Sequence, residues 1–162
     1  MEKQGNYSMR QFFSLIMLIL AITACEETFN NPPRSEVVAQ VEFSSGAENP
    51  TPFISVYGVG QDSIWISQVQ TLEFNLPLSS LASTSLVVLF DSIADTLTIV
   101  HDNTINYESV ESGFYYEYWI KNISHTFNRI DSLIVLDSAV TQTWNENIKL
   151  YITDLPADTD TE

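Results

Sequence analysis

From Glu36 onward, apolar and polar residues take turns along the chain. In EVVAQVEF (36–43), Val37, Ala39, Val41 and Phe43 fall on one side, and Glu36, Gln40 and Glu42 on the other. That period of two marks a half-buried β-strand, whose successive side chains point to opposite faces. TLEFNL (71–76) repeats the pattern, with Leu72, Phe74 and Leu76 predicted inward and Thr71, Glu73 and Asn75 outward. Strand-like runs follow at FISVYGV (53–59), DSIWIS (62–67), TSLVVLFD (84–91), DTLTIVH (95–101), GFYYEYWIKN (113–122), IDSLIVLD (130–137) and NIKLYIT (147–153). Short segments rich in Gly, Asn, Asp, Ser and Pro separate them, as turns require.

Nine such strands at this spacing predict antiparallel hairpins. The five successive apolar residues from Leu86 to Phe90 predict a strand covered on both faces, near the middle of a sheet. No segment after residue 24 sustains a helical stripe, so residues 36–154 are expected to form an all-β domain. Two sheets can bury their inner faces against each other without helices, which favours an antiparallel β-sandwich of immunoglobulin-like or related type. A closed barrel is the alternative that strand count does not separate. A transmembrane barrel is disfavoured: most of these runs fall short of the 9–11 residues a span needs, and Glu42 and Glu73 fall on outward faces.

The N-terminus follows a different rule. An apolar stretch from Phe12 to Ile22 follows a segment carrying Lys3 and Arg10. It is too short to span a bilayer and has the length of a signal-peptide core, predicting a signal helix over 1–24 that is removed on export. Ile22-Thr23-Ala24-Cys25 resembles the lipobox of bacterial lipoproteins, which implies cleavage before Cys25 and acylation of that cysteine. Several acyl chains on one residue hold a protein to a bilayer far more firmly than a single chain does. Residues 25–35, broken by Pro32 and Pro33, predict a flexible tether, since proline favours extended backbone. Glu26 and Glu27 resemble the acidic mark that sorts lipoproteins of Bacteroidota to the outer face of the outer membrane; a solvated linker explains them equally. Residues 155–162 predict an acidic disordered tail.

Charge narrows the partners. The 162-residue chain carries a formal net charge of −15. Without residues 1–24 it keeps 20 acidic and 4 basic residues, a net −16. Phosphate recognition needs a basic footprint, so nucleic acid is excluded as a partner, and adhesion to anionic lipid head groups is disfavoured. Attachment to a membrane would rest on the lipid, with an envelope protein or a glycan as the remaining partner. Cys25 is the only cysteine, so no disulfide forms within the chain, no thiolate cluster holds a metal, and stability falls to packing.

Candidate chemistry is sparse. His101 and His125 are the two histidines, and nothing in the sequence makes them converge with carboxylates on a metal. HDNTIN (101–106) reads as a polar turn that offers oxygen ligands for calcium or simply closes a hairpin; it lacks the glycine and glutamate of an EF-hand. No Gly-x-Ser-x-Gly elbow is present, so no catalytic residue, metal or cofactor is expected, and acid–base hydrolysis is the weakest of the functional readings. The best binding surface is GFYYEYWI. Phe114, Tyr116, Tyr118 and Ile120 share one face, while Tyr115, Glu117, Trp119 and Lys121 share the other. Tyr115 and Trp119 are the candidate glycan- or protein-binding pair, since such rings combine apolar area with a polar edge; packing against cross-strand neighbours is the competing explanation.

Asp followed by Ser or Thr and an aliphatic residue recurs five times, placing Ser63, Ser92, Thr96, Ser132 and Ser138 in a pattern that resembles the O-glycosylation sequon of exported Bacteroidota proteins. Turn chemistry competes with that reading, because Asp and Ser bond nearby backbone amides.

VYGVGQDSI (56–64), LPLSS (76–80), DTLTIVH (95–101), ESGF (111–114) and NENIKLY (145–151), in this order after the lipobox, resemble an uncharacterised domain-of-unknown-function family of Bacteroidota lipoproteins. The resemblance implies an envelope location and supplies no activity. In the family pattern ESGF reads Glu-Cys-Gly-Phe, with a second cysteine near the first strand. Ser112 stands at that position here and residues 36–43 hold no cysteine, so a staple implied for relatives is missing.

Overall fold

The computed structural model describes residues 36–46, 49–110 and 112–154. The predicted signal peptide over 1–24, the tether with Cys25, Glu26 and Glu27, and the acidic tail over 155–162 lie outside the described residues. The described chain is all-β. Its ten strands are β1 (Glu36–Phe43), β2 (Phe53–Gly58), β3 (Ile64–Gln70), β4 (Glu73–Pro77), β5 (Ser83–Phe90), β6 (Ile93–Ser109), β7 (Gly113–His125), β8 (Ile130–Val135), β9 (Ala139–Val140) and β10 (Ile148–Ile152).

They form a sandwich of two sheets, one ordered β4-β1-β10-β8 and the other β3-β2-β5-β6-β7-β9. The sheets keep separate edges, so the fold is not a closed barrel. Every pairing is antiparallel except β1 with β10, where Ala39 faces Ile148 and Phe43 faces Ile152. Parallel neighbours cannot be joined by a tight turn, and here everything from β2 to β9 serves as the connection. β9, the strand that alternation did not predict, has two residues opposite Tyr118 and Trp119, too few to show a period.

The alternating positions meet between the sheets. Val37, Ala39, Val41, Leu76, Ile148 and Leu150 from the four-stranded sheet pack on Ile54, Val56, Val88, Phe90, Leu97 and Ile99 from the six-stranded one. Phe74 and Phe90 touch across the interface at a centroid distance of 6.5 Å, edge to face. β5 lies between β2 and β6, the central place its apolar run predicts; its second face, at Val87 and Leu89, is half-buried. Leu72, expected inward, is exposed instead. It precedes β4 in a bend where the amide of Val41 donates to its carbonyl, so its backbone is held while its side chain turns away.

HDNTIN is not a turn. Residues 101–106 lie inside β6, each facing a residue of β7, because β6 and β7 form a hairpin much longer than the other strands. At its tip Gly113 takes φ +77°, a left-handed conformation that glycine adopts at little steric cost, which accounts for the glycine of ESGF.

Two buried polar residues stitch the sandwich. Asn147 accepts the amide of Val38 at 3.1 Å and donates through Nδ2 to the carbonyls of Asp137 and Ala139, each at 3.0 Å. It thereby ties β1 to the segment entering β9. The carboxylate of Asp95 on β6 accepts the Thr126 hydroxyl at 2.6 Å and the amide of Asn128 at 2.9 Å on Oδ1. Its Oδ2 accepts the amides of Arg129 at 2.7 Å and Ile130 at 2.8 Å. Burial alone would raise its pKa, but the Thr126 hydroxyl and the amides of Asn128, Ile130 and Arg129 outweigh burial and hold the carboxyl below its ordinary 3.8. Arg129 is itself buried, with Nη2 lying 3.7 Å from Oδ2 of Asp91.

Candidate functional site

At one end of the sandwich, the β2–β3 connection and the β4–β5 loop border a cleft of about 550 Å³. The first wall is set by glycines. The amide of Gln61 donates to the carbonyl of Gly58 at 3.1 Å, closing a tight turn, and Gly60 within it takes φ +73°. A Cβ on Gly58 would stand 2.9 Å from Cδ and Oε1 of Gln61, so the carboxamide lies against bare backbone. The second wall is pinned by Ser79. Its amide donates to Thr84 Oγ1 at 2.9 Å, its hydroxyl donates to the carbonyl of Ser83 at 3.1 Å, and it accepts the amide of Leu81 at 3.3 Å. Asn103 Nδ2 adds a bond of 2.7 Å to the carbonyl of Ser80. Local polar bonds of this kind let an irregular loop hold one shape.

Trp65 lines the cleft and is 52% exposed. It is the extra residue of a bulge: Val56 faces Ile66, the next residue Tyr57 faces Ile64, and Trp65 has no partner in that register. Bulges recur where a side chain must be aimed away from regular alternation. Ile64, Val59 and Leu81 add exposed apolar surface, while Gln61, Ser63 and Ser83 add polar groups. No residue lining the cleft carries a charge, although the chain as a whole is strongly acidic.

The pair expected from the sequence lies elsewhere, on the outer face of the six-stranded sheet. Tyr115 is half-buried opposite Asn106, and Trp119, 37% exposed, stands opposite Asp102 on one side and Ala139 on the other. Between the two rings Glu117 accepts Nδ2 of Asn106 at 2.9 Å. Trp119 borders a depression of about 510 Å³ with Ser80, His101, Asp102 and Thr104 among its neighbours. Asp102 pairs there with Lys121 at 2.7 Å. On the inner face Tyr118 and Ile120 are core, but Phe114 is 70% exposed, because the long hairpin runs past the opposite sheet.

The two histidines do not converge. His101 is buried, with Nε2 at 3.2 Å from the Thr84 hydroxyl and its ring edge-on to Tyr118 at 5.1 Å. His125 faces Leu97, four residues from His101 along β6, and its Nδ1 lies 2.8 Å from the carbonyl of Thr126. Burial lowers the His101 pKa below 6.5, and the Asp102 charge only partly opposes that, so the ring is neutral at pH 7. Among the described residues no three His, Cys, Asp or Glu side chains gather as metal ligands.

Of the Asp-Ser/Thr positions, Ser63, Ser92, Ser132 and Ser138 are exposed and Thr96 is half-buried within β6. The aspartates ahead of three of them hold backbone: Asp91 accepts the amide of Phe53 at 3.0 Å, Asp137 that of Ala139 at 2.9 Å, and Asp95 the three amides described above.

A protein-family profile matches residues 53–152, from the first residue of β2 to the last of β10. The chain belongs to DUF6452, a family of unknown function. The family match takes in the cleft, both histidines and the whole β6–β7 hairpin, leaving only β1 of the described strands outside it. No curated protein and no solved structure matches the chain significantly.

Trp65 is the residue that sequence reasoning missed. It sits in a run read only as a strand, and its cleft partners come from a loop near residue 80; the one local hint was Gly58 and Gly60 just before it.

Proposed function

We propose that this protein is a lipid-anchored component of the bacterial cell envelope, held by Cys25 in the outer membrane of a member of the Bacteroidota. Its β-sandwich serves there as a non-catalytic accessory or binding module. The order of the N-terminal segments supports the anchor: a short apolar run, small residues, then the single cysteine and a proline-bearing tether. The observation that carries the binding role is the preshaped, uncharged cleft beside Trp65. Ligand sites are concave, largely apolar and equipped with a few fixed polar groups, and this cleft has that make-up. Acid–base hydrolysis needs a positioned proton donor and acceptor, and the cleft lining offers neither.

A second reading, glycan binding on the Tyr115/Trp119 face, draws support from the partial exposure of Trp119 beside its own depression. In that case Tyr115→Ala with Trp119→Ala abolishes retention on polysaccharide and leaves the melting temperature nearly unchanged.

The anchor is tested in cells. Cys25→Ala is expected to move the protein from the membrane fraction to the soluble envelope fraction and to abolish labelling by a fatty-acid precursor. Continued membrane retention after clean removal of the signal would refute the lipid anchor.

A further inference from the structure

We propose that the cleft beside Trp65 binds an uncharged saccharide. The inference rests on the binding-module reading above and adds to it a place and a ligand class.

Charge decides first. In a chain of net charge −15, a cleft lined without a single ionisable side chain offers no counter-charge to an anion or a cation. A charged ligand would lose hydration there with only neutral hydroxyls and a carboxamide in return. The occupant is therefore neutral.

Shape and polarity decide next. Trp65 presents an indole that is 52% exposed and displaced from strand register by its bulge. A flat aromatic surface with an apolar rim beside it fits the C–H face of a pyranose ring. Gln61, Ser63 and Ser83 stand at the same cleft, where a carboxamide and hydroxyls can exchange hydrogen bonds with sugar hydroxyls. An acyl chain would cover these groups and satisfy none of them, at a cost for each. An extended peptide added to the free edge of β3 is also disfavoured. The pairing of β3 with β2 shifts register twice within seven residues, and Gln68 takes φ +49°; such bulges blunt an edge against a further strand.

The cleft is built to hold that arrangement. Gly58 leaves the room in which the Gln61 carboxamide lies, and the bonds of Ser79 fix the opposite wall.

The test uses the full-length protein in a zwitterionic, sugar-free detergent, titrated by calorimetry with malto-, cello- and manno-oligosaccharides. Decanoate and an uncharged hexapeptide are titrated in parallel. Binding of at least one neutral oligosaccharide is expected, and Trp65→Ala should weaken it by about tenfold or more without lowering the melting temperature. Gly58→Ala, which displaces Gln61, should weaken it as well and supplies the test if Trp65→Ala does not fold. Trp119→Ala should leave it unchanged. Absence of saccharide binding, binding that survives Trp65→Ala and Gly58→Ala, loss through Trp119→Ala, or binding of decanoate or peptide in place of sugar would each overturn the proposal. Binding of decanoate or peptide through Trp65 would remove the saccharide and leave the binding-module reading standing, whereas no binding of any of the three probe classes would remove both; release of Cys25→Ala from the membrane is independent of either.

Discussion

Oδ2 of Asp95 accepts the backbone amide of Ile130 at 2.8 Å across a separation of 35 residues. Asp95 belongs to β6 of the six-stranded sheet, and Ile130 opens β8 at the edge of the four-stranded one. One carboxylate thus fixes where the chain leaves the first sheet and enters the second, and with Thr126, Asn128 and Arg129 it satisfies four donors at once. Hydrogen bonds to a charged acceptor are the stronger kind, and leaving buried amides unpaired is costly. Asp95→Asn turns an NH₂ toward amide donors and is expected to cost about 3 kcal/mol, measured by urea denaturation at pH 7.

The same carboxylate predicts an acid limb. Its folded pKa lies below 3.8, so the folded state holds the proton less well than the unfolded chain. The resulting stability is complete above pH 3.8 and is lost as pH falls through the folded value. Denaturation midpoints between pH 5 and 2 should drop in the wild type, and Asp95→Asn should flatten that segment.

His101 predicts a separate limb at higher pH. Its folded pKa is depressed below 6.5 by burial, so below pH 6.5 the unfolded chain takes up a proton that the folded state resists. Stability is full above pH 6.5 and declines as pH falls toward the folded value. His101→Gln keeps a polar group near Thr84 and removes the titration. Its stability profile between pH 7 and 5 should be flatter than that of the wild type, while the Asp95 limb remains.

Asn147 joins three segments through side-chain bonds to Val38, Asp137 and Ala139. Asn147→Ala removes the side-chain acceptor of the buried Val38 amide and a donor to each of two carbonyls. A loss of about 2–3 kcal/mol is expected. Hydrogen exchange should show it most at Val38 and Val140, while Val88 in the middle of β5, which exchanges through global unfolding, should speed up only by the global loss.

How much of this was legible in the sequence depends on the range of the interaction. Alternation reports which face a residue takes, so β1, β5 and β10 and the two faces of GFYYEYWI were readable. It does not report what lies opposite. Polar HDNTIN looks like a turn, and it is a strand only because β7 supplies partners along its length. Asp95 looks like turn chemistry until the segment 126–130 folds back on it, and the Trp65 cleft joins segments about 20 residues apart. Such sites carry no local period.

The inner face of β7 offers the sharpest contrast between equal patterns and unequal burial. Tyr118 and Phe114 share that face, four residues apart, yet Tyr118 is 2% exposed and Phe114 is 70% exposed. Tyr118 meets His101 edge-on at 5.1 Å and stacks on Tyr116 at 6.0 Å, with the opposite sheet above it. Phe114 meets Tyr107 at a centroid distance of 5.3 Å near the tip of the hairpin, and both rings stay largely exposed. Removing a buried ring forfeits transfer energy and leaves a cavity, whereas an exposed aromatic pair contributes little beyond its own contact. Tyr118→Ala is therefore expected to destabilise the fold by roughly 3–5 kcal/mol, and Phe114→Ala by about 1 kcal/mol or less. Equal losses in paired denaturation curves would mean that the hairpin end is packed in solution and that its exposed face is covered.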